Sequence, residues 1–446
     1  MTSRLLQLTR VPRITGLDAA RGIAVLGMMG AHMATRGAEF SLRDPATWQA
    51  LVHGHPSILF ALLAGVSVAL MTGGTTPPPL ERRHEVRARL VGRGIAIFLI
   101  GLVLELLGSA VAVILCFYGV LYVAVLPFLR WRGRWLWTAV LVLAVTGPAW
   151  MALRHGLGLT NTGTGAVLVF DGVYALTTWL PLLLAGLAVG RADLTRLFTG
   201  VALAAGGAAL CAAAFGLSAA VAPLISPTAP PTPGDKVTGE VVDQPPASEL
   251  DGSKLDAKLD AALQDAAAEK AVPEPKIEGD LRGPNNGWET FVETVQSVDH
   301  LSLVRDAWAN AQPHSGGTLE MLGSGGFGAA LLGVCLLIAR VAAPVLLPLA
   351  VVGSMPLTAY AAHVLVILVL AGPQGTLEDS AAWGWTSLGM VLGCASWISV
   401  AGRGPLERLV ARSATWLTPP ATLLAADVPA PVHREVRTPV RVVDRG

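Results

Sequence analysis

About ten apolar stretches, each close to the thickness of a lipid bilayer, dominate this chain. A hydrocarbon layer of about 30 Å takes roughly 20 residues of helix to cross. Lipid offers no partner to a backbone N–H or C=O, so stretches of this length must close their hydrogen bonds internally as helices. They lie near 14–33, 56–72, 92–108, 110–129, 135–153, 173–189, 197–222, 322–339, 353–371 and 385–401. The apolar stretch 341–352 reads as a re-entrant or interfacial piece, or as an extension of the ninth span. Around Gly108 and Ser109 the third and fourth spans are joined closely enough to make a helical hairpin.

Composition agrees. Hydrophobic residues make up 53% of the 446 and charged residues 14%, where a soluble domain carries roughly a quarter charged. The expectation is an all-α polytopic membrane bundle of about ten transmembrane helices. Net charge of +1 says nothing about partners, and no basic, aromatic-rich soluble patch points to nucleic acid. Cys116, Cys211, Cys335 and Cys394 each sit in apolar surroundings without paired spacing. They read as small packing residues, neither disulfides nor a metal site. The first apolar run carries Asp18 and Arg21 and ends in no small-residue cleavage site, so it reads as a retained anchor.

Arginine placement sets the expected orientation. Arg4, Arg10 and Arg13 precede the first span, and Arg82, Arg83, Arg87, Arg89 and Arg93 lie between the second and third. Arg130, Arg132 and Arg134 follow the fourth span, Arg191 and Arg196 the sixth, Arg340 the eighth, and Arg403, Arg408 and Arg412 the tenth. All of these connections fall on one side, which the positive-inside rule makes cytoplasmic, with both termini there. Trp131, Trp135, Trp150, Trp179, Trp383 and Trp385 fall near the interfaces, as an aromatic belt would.

Four regions follow: transmembrane helices 1 to 7 over 1–222, an extracytoplasmic insertion over 223–321, helices 8 to 10 over 322–401, and a cytoplasmic tail over 402–446. The insertion is Pro-rich at its start and acidic, yet it holds every lysine of the chain (Lys236, Lys254, Lys258, Lys270 and Lys276). Leu255, Leu259, Ala262, Leu263 and Ala266 suggest one amphipathic helix within a solvated, partly disordered segment. A lid or docking element over the outer mouth is the functional alternative.

Polar residues within so apolar a chain are few. Arg21 and Asp18 are three apart and share a helix face. His32 lies on the same span, about 16 Å further along at 1.5 Å per residue. Tyr360 and His363 share a face in the middle of the ninth span. Ionisable groups at such depth face a cavity or a partner, and a buried imidazole stays neutral and able to act as a base. His363 reads equally well as a structural histidine bonded to a neighbouring helix. His53 and His55 read, by position, as exposed loop histidines, and His84 as solvated. Glu105 in the third span, Tyr118 in the fourth, Asp171 at the start of the sixth, and His314, Ser315 and Glu320 before the eighth complete the set. The glycines of Gly323-Ser324-Gly325-Gly326-Phe327-Gly328 read as a close helix crossing.

Leu17-Asp18-Ala19-Ala20-Arg21-Gly22 resembles the opening span of bacterial membrane acyltransferases related to heparan-α-glucosaminide N-acetyltransferase. The spacing from Arg21 to His32 is similar to that of the type-3 membrane acyltransferases. Ser57 through Ser67, Ile114 through Leu121, Pro313-His314-Ser315-Gly316 and Leu357 through His363 also resemble members of this group. Gly404-Pro405-Leu406-Glu407 is similar to the closing motif of a bacterial membrane family of unknown function in the same group. The resemblance covers most spans, but not the insertion or the tail. In the heparan enzyme the active histidine lies between the first two spans, and here His53, His55 or His32 could fill that place.

The resemblance implies a multi-pass protein of the bacterial cytoplasmic membrane. It would move an acetyl or other acyl group from cytoplasmic acyl-CoA to an extracytoplasmic glycan or glycolipid. Arg21, with Asp18, would serve the donor's phosphates; His32, with His314 or His363, would supply the chemistry. No metal is implied, and a homodimer stays open. The alternatives are an envelope-lipid transporter or flippase, and a non-catalytic membrane assembly protein.

Overall fold

The computed structural model describes residues 13–35, 43–157, 174–225 and 295–417, with short pieces at 5, 7–9, 159 and 291–292. Among them every regular element is helical. In chain order these are α1 (Thr15–Met33), α2 (His55–Met71), α3 (Arg83–Leu106), α4 (Leu115–Ala124), α5 (Gly133–Gly156), α6 (Leu176–Gly190) and α7 (Leu197–Ile225). There follow α8 (His300–Ala309), α9 (Thr318–Ala342), α10 (Leu347–Gly353), α11 (Pro356–Ala371), α12 (Ser380–Ala401) and α13 (Pro405–Ser413). Four stretches, Gly133–Gly156, Leu197–Pro223, Thr318–Gly353 and Ser380–Ala401, are long and apolar enough to cross a membrane. Shorter apolar helices accompany them at His55–Met71, Leu115–Phe128, Leu176–Gly190 and Pro356–Ala371. The protein is therefore a membrane protein. Asp171, the proposed 255–266 helix and the tail beyond 417 lie outside the described residues.

Helix α1 runs through the interior, and fourteen of its residues are buried. Glycine permits this. A Cβ on Gly22 would overlap the carbonyl of Leu349 on α10, and one on Gly353 would overlap the carbonyl of Asp18. Backbones in such contact gain dispersion and leave no room for side chains. The same device joins α2 to α6 through Gly65 and Gly186, and α7 to α9 through Gly207, Gly326 and Gly333. The glycine-rich start of the eighth span is thus a packing surface.

The third and fourth spans do form a hairpin, zipped by Gly94, Gly101 and Gly119. Its turn is longer than the sequence implies. Helix α3 stops at Leu106, Gly108 takes a positive φ of 69°, and α4 begins only at Leu115. The ninth span is broken. A 3₁₀ turn at Ala343–Leu346 and the short α10 precede α11. Pro356 opens α11, and Met355 before it lies outside the helical region at φ −136° and ψ 58°. A residue preceding proline is disfavoured in the helical region, which places the break.

The arginine-bearing connections after α2, α4 and α6 meet at one end of the bundle, and Arg191 holds them together. Its guanidinium donates to the carbonyls of Gly74 (2.8 Å) and Leu129 (2.9 Å) and to Thr72 Oγ1 (3.0 Å). Helix α13 lies on the same face against α3, with Ser413 over Gly92. On the opposite face, Asp299 caps α8 with its carboxylate. That helix packs on α5, where Trp308 Nε1 donates to the Val145 carbonyl at 2.8 Å.

Trp131, Trp135, Trp150 and Trp385 are exposed. Trp179 is buried, and Trp383 turns inward to donate from Nε1 to the Leu26 carbonyl at 3.0 Å. An indole with an internal acceptor need not stay at the water boundary.

Candidate functional site

Arg21 lies half-buried on the inner flank of α1. It donates from Nη1 to Asp18 Oδ1 at 2.8 Å and from Nη2 to Ser67 Oγ on α2 at 2.7 Å. Asp18 also pairs with Arg13 at 3.6 Å. Asp18 thus orients the guanidinium, and it does not itself line the neighbouring cavity.

That cavity encloses about 300 Å³ between α1, α2, α3, α4, α11 and α13. Arg21, Arg93, Ser67 and Glu407 are its polar walls toward the arginine-rich face. Phe60, Leu63, Ile97 and Leu115 make it apolar deeper in, where Tyr118 and Tyr122 also face it. A second cavity of about 290 Å³ shares Met71 and Arg93 with the first and adds Arg82 and Arg89. Together they form a basic entrance leading to an apolar pocket. Guanidinium forks match phosphate oxygens, and low-dielectric walls strengthen such contacts.

The Gly-Pro-Leu-Glu motif has a mechanical role here. Glu407 accepts from the backbone N–H groups of Leu357 (2.8 Å) and Thr358 (3.0 Å), and from Thr358 Oγ1. A carboxylate borrowed from α13 therefore caps the N-terminus of α11, whose first N–H groups lack helical partners. Capping favours negative charge there. This cap sets the start of the helix that carries Tyr360 and His363.

Tyr360 is 2% exposed, and its hydroxyl accepts from the Ile114 N–H at 3.1 Å. Its ring meets that of His363 edge-on at 4.7 Å. His363 is fully buried, and among the described residues its ring nitrogens meet no well-formed partner, the Tyr360 backbone one turn earlier lying in reach. The His363 ring stacks on that of His32, with centroids 6.0 Å apart and planes 17° apart.

His32 in turn interacts electrostatically with His53 and His314. Two loops meet here, since a Cβ on Gly54 would lie 2.8 Å from Pro313 Cβ. Glu320 builds the second loop. Its carboxylate accepts from the His314 N–H (2.6 Å), the Gly316 N–H (2.8 Å) and the Ser315 hydroxyl (3.0 Å). His314 is held at a φ of 63°, a left-handed conformation that such external bonds must sustain. Burial lowers its pKa from the usual imidazole value. The end of α1 is clamped as well, with Asp379 N–H donating to the Met33 carbonyl at 2.7 Å and Thr35 N–H to Ser380 Oγ at 3.1 Å.

Of the predicted residues, the structure brings His32, His363 and His314 together with His53, and places Arg21 at a separate basic cavity on the other side of Tyr118 and Tyr360. His55 departs from the exposed reading. It is half-buried at the head of α2, with Nδ1 2.8 Å from Ser324 Oγ and its ring against Phe215 and Phe327. Glu105 lies exposed in the last turn of α3, beside Cys116. Sequence reading did not single out Ser67, nor Arg93 as a cavity residue. Arg93 was legible only as one arginine of a loop, although it sits well inside α3.

Residues 13–218 match the family model described as heparan-alpha-glucosaminide N-acetyltransferase, catalytic. This stretch holds α1 through most of α7, including Arg21, His32, Arg93 and Tyr118, and it is related to that family. No curated protein and no solved structure matches the chain.

Proposed function

We propose that this relative of the heparan-alpha-glucosaminide N-acetyltransferase catalytic region is an acyl-CoA-dependent membrane acyltransferase of the bacterial cytoplasmic membrane. Its ten spans would leave both termini on the cytoplasmic side. The observation that carries the reading is one polar line through an apolar interior. It runs from the Arg21 and Arg93 cavity, past Tyr118 and Tyr360, to the stacked His363 and His32.

The basic entrance suits the phosphates of acetyl-CoA or another acyl-CoA, with Arg21 held ready by Asp18 and Ser67. The apolar pocket beyond suits the pantetheine arm. At the far end, the imidazole of His32 acts on an extracytoplasmic glycan or glycolipid, taking the proton from the attacking hydroxyl or amine. The thioester C–S bond breaks as the new C–O or C–N bond forms, and the sulfur leaves as the thiolate of CoA. His363, stacked on it, steadies His32, while His314 stands at the mouth. A second copy of the chain is a further candidate partner.

Purified protein with radiolabelled acetyl-CoA and a glucosamine acceptor tests this, wild type against His32→Ala. Loss of transfer is expected. Undiminished transfer removes His32 from the mechanism. Acetyl-CoA should also raise the melting temperature, since a ligand that binds only the native state stabilises it.

The helix break at Ser354 and Met355, beside the cavity, favours a second reading. Discontinuous helices near a polar pocket are a feature of transporters. Movement of an envelope lipid without any acyl transfer would decide for it.

A further inference from the structure

Within the cavity one group is conspicuous for what it lacks. Tyr118 is 2% exposed, and its hydroxyl has no hydrogen-bond partner among the described residues. Buried hydroxyls are almost always paired, because an unpaired one forfeits its hydration for nothing. Its ring is fixed edge-on against Phe60 at 5.2 Å. Its helix is fixed against α3 by the contacts of Gly119 with Phe98 and Gly94. The hydroxyl therefore cannot swing away to find a partner elsewhere.

Neighbouring polar groups are occupied. Tyr360 already accepts from Ile114 N–H. Glu407 is taken by Leu357 and Thr358. Arg21 is held by Asp18 and Ser67. Arg93 resembles Tyr118, since its buried Nε also lacks a partner among the described residues. The cavity so presents two unpaired donors, one near its basic entrance and one among apolar walls.

We infer that the Tyr118 hydroxyl donates a hydrogen bond to the thioester carbonyl oxygen of the bound acyl-CoA. The inference rests on the acyltransferase reading above and names the group that recognises the acyl end of the donor. As the acceptor's oxygen or nitrogen adds to the carbonyl carbon, that oxygen gains negative charge, and a phenol in a dry pocket stabilises it. When the intermediate collapses, the C–S bond breaks, the carbonyl re-forms and the sulfur leaves as thiolate. Tyr118 keeps its proton throughout. The acceptor's proton goes to the histidine side.

The test uses the full chain in detergent with Tyr118→Phe, which keeps the ring against Phe60. Three readouts are taken: the melting shift with free CoA, the melting shift with acetyl-CoA, and thiol release from acetyl-CoA in a single turnover with the glucosamine acceptor present. The variant should respond to free CoA as wild type does. It should lose any preference for acetyl-CoA over CoA and release thiol about a hundredfold more slowly, as expected for removal of one oxyanion donor. Fluorotyrosine at position 118 should change the rate in step with the acidity of the phenol, which a packing role would not do. Unchanged thiol release in Tyr118→Phe overturns the inference and leaves the acyltransferase reading standing. A wild type that responds to neither CoA nor acetyl-CoA removes both.

Discussion

Gly22 and Gly353 let α1 and α10 touch backbone to backbone. A Cβ on either would overlap a main-chain carbonyl of the other helix. The glycine that follows Arg21 is thus a steric requirement of the helix that aims the guanidinium. Gly22→Val should lower stability by about 1–3 kcal/mol, the ordinary cost of overpacking. Because α10 would be pushed off α1, it should also widen the gap between Arg21 and the cavity wall. A melting curve in detergent checks the first effect, and the acetyl-CoA melting shift the second.

Glu407 caps α11 from a different helix. Glu407→Gln keeps the shape but removes the charge that favours the helix N-terminus. The amide oxygen can still accept both backbone N–H groups, and the amide N–H₂ then faces the Thr358 hydroxyl. A loss of about 0.3–1 kcal/mol is expected, the worth of a negative charge at a helix N-terminus. Amide exchange at Leu357 and Thr358 should rise while that of α2 stays slow.

Arg191 ties the turn after α2 and the end of α4 to α6. Lysine cannot reproduce a planar fork that reaches two carbonyls and a hydroxyl. Arg191→Lys should therefore cost about 1.5–3 kcal/mol, the range for hydrogen bonds to charged groups. Chemical unfolding with a lipid-exchanged sample measures it. An unchanged midpoint would mean that the ring of bonds is dispensable.

His363 has no hydrogen bond to another helix among the described residues, its one polar neighbour in reach being the Tyr360 backbone of its own helix, so His363→Phe should leave the melting temperature within a few degrees. If the stacked pair moves a proton during transfer, activity should fall by about 10²–10⁴-fold. A variant that is stable and fully active would reduce the pair to packing.

His314 supplies a pH prediction. Burial lowers its pKa in the native protein, while the unfolded chain takes up the proton near pH 6.5. Between those values the unfolded state binds more protons, so stability present above pH 6.5 is lost as pH falls. Melting temperature should drop between pH 7 and pH 5. His314→Gln should shallow that drop, and parallel curves for the two proteins would contradict the assignment.

Much of the architecture was legible because hydrocarbon leaves the backbone little choice. The all-helical class, the long apolar helices and the hairpin around Gly108 follow from apolar run length alone. The pairing of Arg21 with Asp18 was legible too, since a spacing of three puts both on one face. Other features depended on neighbours far away in the chain. Nothing in the sequence around Ser67 marks it as the second partner of Arg21, forty-six residues away. Nothing near Trp383 marks it as facing inward, and His55 gave no sign of Ser324.

The order of the apolar runs and the rarity of charge within them determined by themselves that this chain is a helical membrane protein with an arginine and a histidine on its first span. Hydropathy is a local property, and it reads without a partner. Which of the polar groups meet was decided only in three dimensions. The stack of His32 on His363, the cap of Glu407 on α11 and the unpaired hydroxyl of Tyr118 each arise where helices cross. Crossing geometry is set by glycines and proline breaks acting on both partners at once, a joint property that no single segment carries.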